Sequence, residues 1–368
     1  MIDADLSRTL IIKPSSLGDV VQALPVAWAL KELRPQARID WLATPACAGV
    51  VEGLEAVNRV VPFRRQEYGR MWRNPLTLAS FGWFLLKLRR AGYTTVLDLQ
   101  GLFRSAFLCR ASGAPRRIGL SDAREGAEQS YTDVVPVPAE PMSSVDRYLL
   151  AAEALGAPAG AVRRFDIHLP PEKLAAARAL LVARGLAEGQ RYVVLVPGGR
   201  WATKRWPEER FAALAQRVDE HLGLVPVLAG AAGERQIAER MRRMRGGRMV
   251  DLIGRTDLKT LAALLRGAAC VVSNDSGPMH LAAALGRPVV ALFGPTSPQL
   301  TGPYGAGHVV LADRAECARC DDRRCRWEGS ARELVCLRNI AVDEVFEAVK
   351  GVVGAAAAPG GMATSSWP

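Results

Sequence analysis

Long apolar runs are absent from this sequence. The longest, Leu76–Leu86 (LTLASFGWFLL), is far shorter than the roughly 20 residues that cross a bilayer, so it predicts a buried helix or, at most, one docked on a surface. A secretory leader is absent too: MIDADLSRTLIIKPSS carries acids where a leader needs bases, and its apolar stretch is too short. The chain is therefore expected in the cytoplasm. Acids are in deficit, 37 against 48 basic residues, and the net charge of +11 calls for an anionic partner: nucleic acid, an anionic lipid surface or a phosphorylated substrate. No RNP-like, helix-turn-helix or zinc-finger pattern accompanies the charge, and arginines scattered over strands and loops are poor groove readers, so no nucleic-acid partner is expected. Seven cysteines, an odd number in a cytosolic chain, argue against a disulfide framework.

What is present is an alternation. At 368 residues the chain exceeds the size at which one hydrophobic core stops growing, so two domains are expected. Strand-like runs at Thr9–Lys13, Arg38–Ala43, Arg59–Phe63 and Thr94–Leu99 alternate with helical ones, the first of them Asp19–Arg34. After a pause the pattern restarts with strands at Arg191–Val196, Leu224–Ala229, Ala268–Ser273 and Pro288–Phe293, with helices opening at Pro207, Gly233 and Gly277. Such alternation predicts an α/β fold of two doubly wound domains with parallel sheets, over residues 1–178 and 179–353. Residues 354–368 are small and turn-forming and read as a disordered tail. In sheets of this kind ligands bind at the carboxyl ends of strands, which makes every strand-to-helix loop a candidate site.

Four such loops carry chemistry. Ser273-Asn-Asp-Ser-Gly-Pro-Met-His280 ends a strand and opens a helix. Asp275 or Ser276 can cap it, leaving N–H groups near Gly277 for an anion, a phosphate pocket without a Walker lysine. The plain alternative is an ordinary capped helix, and His280 is by itself more often a packed residue than a catalyst. Pro197-Gly-Gly-Arg-Trp-Ala-Thr-Lys-Arg-Trp-Pro207 puts Lys204 and Arg205 ahead of the next helix, where cations could neutralise a leaving diphosphate. Ala229-Gly-Ala-Ala-Gly-Glu234 is a short glycine turn. The fourth, KPSSLGDVV (Lys13–Val21), resembles a phosphate cradle but ends in the carboxylate of Asp19, which a helix dipole alone would explain. The only D-x-D string is Asp3-Ala4-Asp5, ahead of the first strand, and it gives no metal motif.

Taken together, Asp275–Gly305 (DSGPMHLAAALGRPVVALFGPTSPQLTGPYG), Pro197–Leu214 (PGGRWATKRWPEERFAAL), KPSSLGDVVQALP and Asp98–Ala106 (DLQGLFRSA) resemble glycosyltransferase family 9, the lipopolysaccharide heptosyltransferases. The likeness spans nearly the whole chain apart from the tail. It implies the GT-B architecture, two Rossmann-like domains facing across a cleft, the first binding the acceptor and the second ADP-heptose. It also implies an inverting, metal-independent transfer of heptose to the Kdo-lipid A inner core by single displacement, with Asp19 as general base and Lys204 on the donor phosphates. The implied donor residues are Arg200, Thr203, Lys204, Glu234 on the ribose, Asp275, Ser276, Gly277 and His280. Ser276 stands where heptosyltransferase I usually has threonine. On the acceptor side are Lys13, Ser16, Gly18, Arg64, Arg65, Gln100, Arg104 and Arg124, the arginines suiting Kdo carboxylates and lipid A phosphates. A peripheral place on the cytoplasmic face of the inner membrane follows, with Trp72, Trp83 and Phe84 either docking there or, as the preferred reading, in the core.

Two points stay open. The opening motif is more similar to heptosyltransferase I, whereas the loop Cys317-x2-Cys320-x4-Cys325-x10-Cys336 is more similar to heptosyltransferase II. That spacing admits a structural metal, although reduced cysteines packing a loop are preferred. Cys47, Cys109 and Cys270 read as buried small hydrophobes. A GT-B enzyme with another sugar nucleotide, an epimerase, or a non-catalytic nucleotide-sugar or lipopolysaccharide binding protein are the competing readings.

Overall fold

In the computed structural model, which describes residues 1–160, 163–244, 248–313, 317 and 320–357, the chain divides into two compact units, Met1–His168 and Leu169–Pro368. The boundary expected at 178/179 lies inside a helix, Pro171–Val182, that belongs to the second unit. Its half-buried Lys173 pairs with Asp257, the residue that caps the helix Leu258–Gly267, at 2.5 Å.

The first unit holds β1 (Arg8–Ile12), β2 (Arg38–Ala43), β3 (Arg59–Pro62), β4 (Thr95–Asp98), β5 (Arg116–Leu120) and β6 (Asp133–Val135). The second holds β7 (Tyr192–Val196), β8 (Val225–Leu228), β9 (Val250–Asp251), β10 (Cys270–Asn274), β11 (Val289–Phe293) and β12 (Val309–Ala312). Among the described residues each unit forms one six-stranded sheet, ordered β3-β2-β1-β4-β5-β6 and β12-β11-β10-β7-β8-β9, and every pairing is parallel. Counted from its own first strand, the second sheet repeats the order of the first, the Rossmann arrangement. Strand order therefore reverses between β1 and β4 and again between β7 and β10, and the loops after those strands flank the two switch points.

Continuous apolar sequence explains the central strands: Leu10, Ile11 and Ile12, and all five residues of β7, are buried, as strands covered on both faces require. The strands missing from the sequence reading are β5, β6, β9 and β12. The first opens on Arg116-Arg117, and the others are short or edge strands. In the second unit Trp206, Phe211 and Phe346 join the sheet residues in one core. The C-terminal helix Val342–Ala357 runs through the first four residues of the expected tail; residues 358–368 lie outside the described residues.

One expectation is overturned. The Leu76–Leu86 run does form a helix, Pro75–Arg90, but Leu88 is its buried residue. Leu76 is 79% and Trp83 53% exposed, and Trp72 in the preceding turn is 81% exposed. Phe84 does face the core, ring to ring with Phe63 and Tyr68. The segment's mean apolarity is high but its apolar residues lie all around the helix, more than one buried stripe can absorb.

Candidate functional site

At the second unit's switch point the loops after β7 and β10 are tied together. Asn274, the last residue of β10, donates through Nδ2 to the carbonyls of Pro197 (2.9 Å) and Gly198 (3.0 Å), and its Oδ1 accepts the Trp206 N–H at 3.0 Å. Lys204 then meets Asp275, Nζ to Oδ2 at 2.6 Å, with side-chain exposures of 17% and 6%. Thr296 Oγ1, just beyond β11, donates to the same carboxylate oxygen at 2.7 Å. Asp275 is thus the counter-ion of Lys204, not the cap of the next helix. Ser276 occupies the N-cap position of the helix Gly277–Ala284 without a side-chain cap bond, its hydroxyl 3.1 Å from that of Ser273. The N-terminus of this helix, at Gly277, is positive by its dipole, and His280 lies buried one turn in.

Glu234 fastens a third loop. One carboxylate oxygen accepts the Gly199 N–H at 2.9 Å and the other that of Ala231 at 2.8 Å. Gly198 and Gly230 leave it room, since a Cβ on either would stand 2.1 Å and 2.6 Å from a Glu234 oxygen. Thr203 is buried and Arg200 exposed. The donor residues named from the sequence therefore share one end of one sheet. Asn274, which organises them, carries no motif signal beyond its place at the end of a strand.

The first unit's switch point gathers a second group. The helix Leu17–Leu33 begins in a capping box: the Ser16 N–H (3.0 Å) and hydroxyl (2.5 Å) both donate to Asp19 Oδ2. The dipole reading of Asp19 is thus realised in part. Its other oxygen, Oδ1, takes the phenol of Tyr148 at 3.4 Å. Lys13 is buried; its Nζ donates to the Leu99 carbonyl at 3.2 Å and lies 4.7 Å from the Tyr148 ring centroid. Gln100 follows on the next loop, its Oε1 buried without a hydrogen-bond partner among the described residues. That loop is held by Asp98, at the end of β4, which accepts the N–H groups of Gln100 (2.9 Å) and Gly101 (3.2 Å) and the Tyr131 phenol (2.8 Å). Burial pushes the Asp98 carboxyl above its ordinary range, against these bonds.

The remaining residues expected on the acceptor side are less united. Arg65 reaches Ser15 Oγ at 3.1 Å, and the Arg124 N–H holds the Gly101 carbonyl at 2.8 Å. Arg64 is exposed and pairs with Glu67 at 3.5 Å, and Arg104 is exposed. Gly18 lies in the first turn of the helix. Tyr148 was missed. It sits on the helix Ser144–Ala154, and packing alone, not spacing, brings it to Asp19.

The four cysteines of the C-terminal loop are unpaired and converge on one small cavity, while Cys47, Cys109 and Cys270 are buried in the cores.

The sequence model of glycosyltransferase family 9 (heptosyltransferase) matches residues 84–331. Lipopolysaccharide heptosyltransferase 1 of Pseudomonas aeruginosa is 36% identical over 329 residues, covering 87% of this chain and 88% of that protein. Lipopolysaccharide heptosyltransferase 2 of Escherichia coli K12 is 29% identical over 312 residues, covering 80% and 85%. Among solved structures, the E. coli heptosyltransferase WaaC with ADP superposes with a TM-score of 0.73 at 27% identity, covering 94% of this chain and 99% of that one.

Proposed function

Because the chain belongs to glycosyltransferase family 9, we propose that it is an ADP-heptose:lipopolysaccharide heptosyltransferase that transfers heptose to the Kdo-lipid A inner core in one inverting step. The acceptor hydroxyl attacks the anomeric carbon and forms the new C–O bond. The bond to the diphosphate breaks on the opposite face, ADP leaves with the electron pair, and the hydroxyl proton passes to Asp19. The carrying observation is that one carboxylate and one lysine, Asp19 and Lys204, each stand beside the switch point of their own sheet, where ligands of such sheets bind.

The first-unit group suits a base. Ser16 fixes one oxygen of Asp19, and the other is oriented by Tyr148, so little reorganisation precedes proton transfer. Lys13 and Gln100 are the adjacent acceptor-binding residues, with Ser16, Gly18, Arg64, Arg65, Arg104 and Arg124 around them. In the second unit Lys204 neutralises the departing diphosphate, and the helix opening at Ser276-Gly277 offers N–H groups to it, with no divalent metal in the step. Arg200, Thr203, Asp275 and His280 complete the donor pocket, with Glu234 on the ribose. The opening motif KPSSLGDVV, more similar to heptosyltransferase I, supports the Kdo acceptor.

Asp19→Asn keeps an amide oxygen for the Ser16 cap and so should fold normally. Its turnover is expected to fall by about 100-fold or more, while calorimetry finds ADP binding unchanged. Near-normal turnover would remove Asp19 from the mechanism.

A further inference from the structure

Cys317, Cys320, Cys325 and Cys336 line one cavity of about 20 Å³ together with Thr203 and Pro295. That is room for about one water-sized occupant. Cys336 is buried on the helical turn Val335–Arg338, while the other three are half-buried in an arginine-rich loop. Cysteines that only pack behave as buried small hydrophobes, as Cys47, Cys109 and Cys270 do here. Three of these four do not. The Leu334 N–H also donates to Cys325 Sγ at 3.5 Å, the kind of outer bond that supports a ligating sulfur.

We propose that these four cysteines bind one soft divalent transition-metal ion, zinc or iron(II), as a tetrathiolate that clamps the loop onto the donor pocket. An all-sulfur set at this spacing suits such an ion and no hard cation. Among the described residues no metal-holding group is gathered already; the ion draws the sulfurs inward, each thiol releasing its proton to solvent as it ligates. The same loop grips both sides of the pocket. Thr203 Oγ1 donates to the Asp322 carbonyl at 3.0 Å, and the Asp321 N–H donates to the Pro295 carbonyl at 2.7 Å. Thr203 adjoins Lys204, Pro295 adjoins Thr296, and both neighbours hold Asp275. An ion at the cysteines would therefore fix the spacing of the Lys204–Asp275–Thr296 group. This coupling rests on the donor-site reading, whereas the metal content does not.

Elemental analysis of the purified full chain should find about one zinc or iron per chain, and a Cys320→Ser, Cys325→Ser double variant should lose it. Cobalt(II) added to chelator-stripped protein should give sulfur-to-metal charge-transfer bands and tetrahedral d–d bands, a readout that needs no activity. Stripping should weaken ADP binding about tenfold, within the range of ordinary site coupling, and restoring zinc should recover it. Metal-free protein that also gives no cobalt–thiolate bands overturns the site. Bound metal with unaltered ADP affinity overturns the clamp. A metal-loaded chain that never binds ADP overturns the donor reading and leaves the metal site standing.

Discussion

In the proposed reaction Lys204 has two partners in competition: an incoming diphosphate and Asp275, which it already neutralises and which is nearly buried. Removing the lysine alone therefore strands a carboxylate, at a cost of about 3 kcal/mol. Lys204→Met is expected to be destabilised by that order in chemical denaturation. Adding Asp275→Asn should recover much of the stability without recovering ADP binding, which separates the structural role from the binding role. If the double variant binds ADP normally, Lys204 does not hold the phosphates. Lys204 was legible in the sequence because KRWP follows a strand and precedes a helix. Its pairing was not, because Asp275 lies 71 positions later and only the parallel registration of β7 with β10 brings them together. Tyr148 was illegible because it lies 129 positions from Asp19 and only helix packing brings the two together.

At the scale of elements, the loops after β7 and β8 depend on glycines chosen for space, with φ playing no part. Gly198→Ala should push the Glu234 carboxylate away and deprive the Gly199 and Ala231 N–H groups of their acceptor, a loss of about 1–3 kcal/mol. In a Glu234→Ala background the same substitution should cost far less; equal costs in both backgrounds would mean that Glu234 does not set this packing. The end of β4 makes a pH prediction. Asp98 is held above its ordinary pKa by burial, so the native state binds its proton more tightly than the unfolded chain, where the pKa is about 3.9. Stability should then fall as pH rises from about 4 towards the native pKa, relative to Asp98→Asn, and the difference should be flat below that window. Denaturation of both proteins at several pH values checks the slope, and a constant offset would refute it. The central strands were readable because parallel strands are apolar throughout, whereas β5 hid behind its two arginines and the edge strands were too short to show a period.

Over the whole molecule, the net charge of +11 and the exposed Trp72, Leu76 and Trp83 make the expected peripheral place on the cytoplasmic face of the inner membrane testable. Among the described residues no helix is long and apolar enough to cross a membrane. The full chain should sediment with anionic phosphatidylglycerol vesicles but not with neutral ones, release with salt, and bind more weakly as Trp72→Ala, Leu76→Ala, Trp83→Ala. Equal binding to neutral vesicles, or none to anionic ones, would exclude that surface. The two-unit plan was legible from the restart of strand–helix alternation after a pause; the junction at His168 was not, because Pro171–Val182 has no composition of its own to mark where it docks. The fastening of the loop after β7 also bears on synthesis. Trp206 donates through Nε1 to the Ile340 carbonyl at 3.0 Å, Thr203 to Asp322, and Asn274 holds Pro197 and Gly198. A chain emerging from the ribosome thus makes β7 and its loop long before the residues that pin them. The first unit can close on contacts within its own residues, whereas the proposed nucleotide pocket is fully fastened only when Ile340 has emerged, so a stalled or truncated nascent chain would lack that fastening.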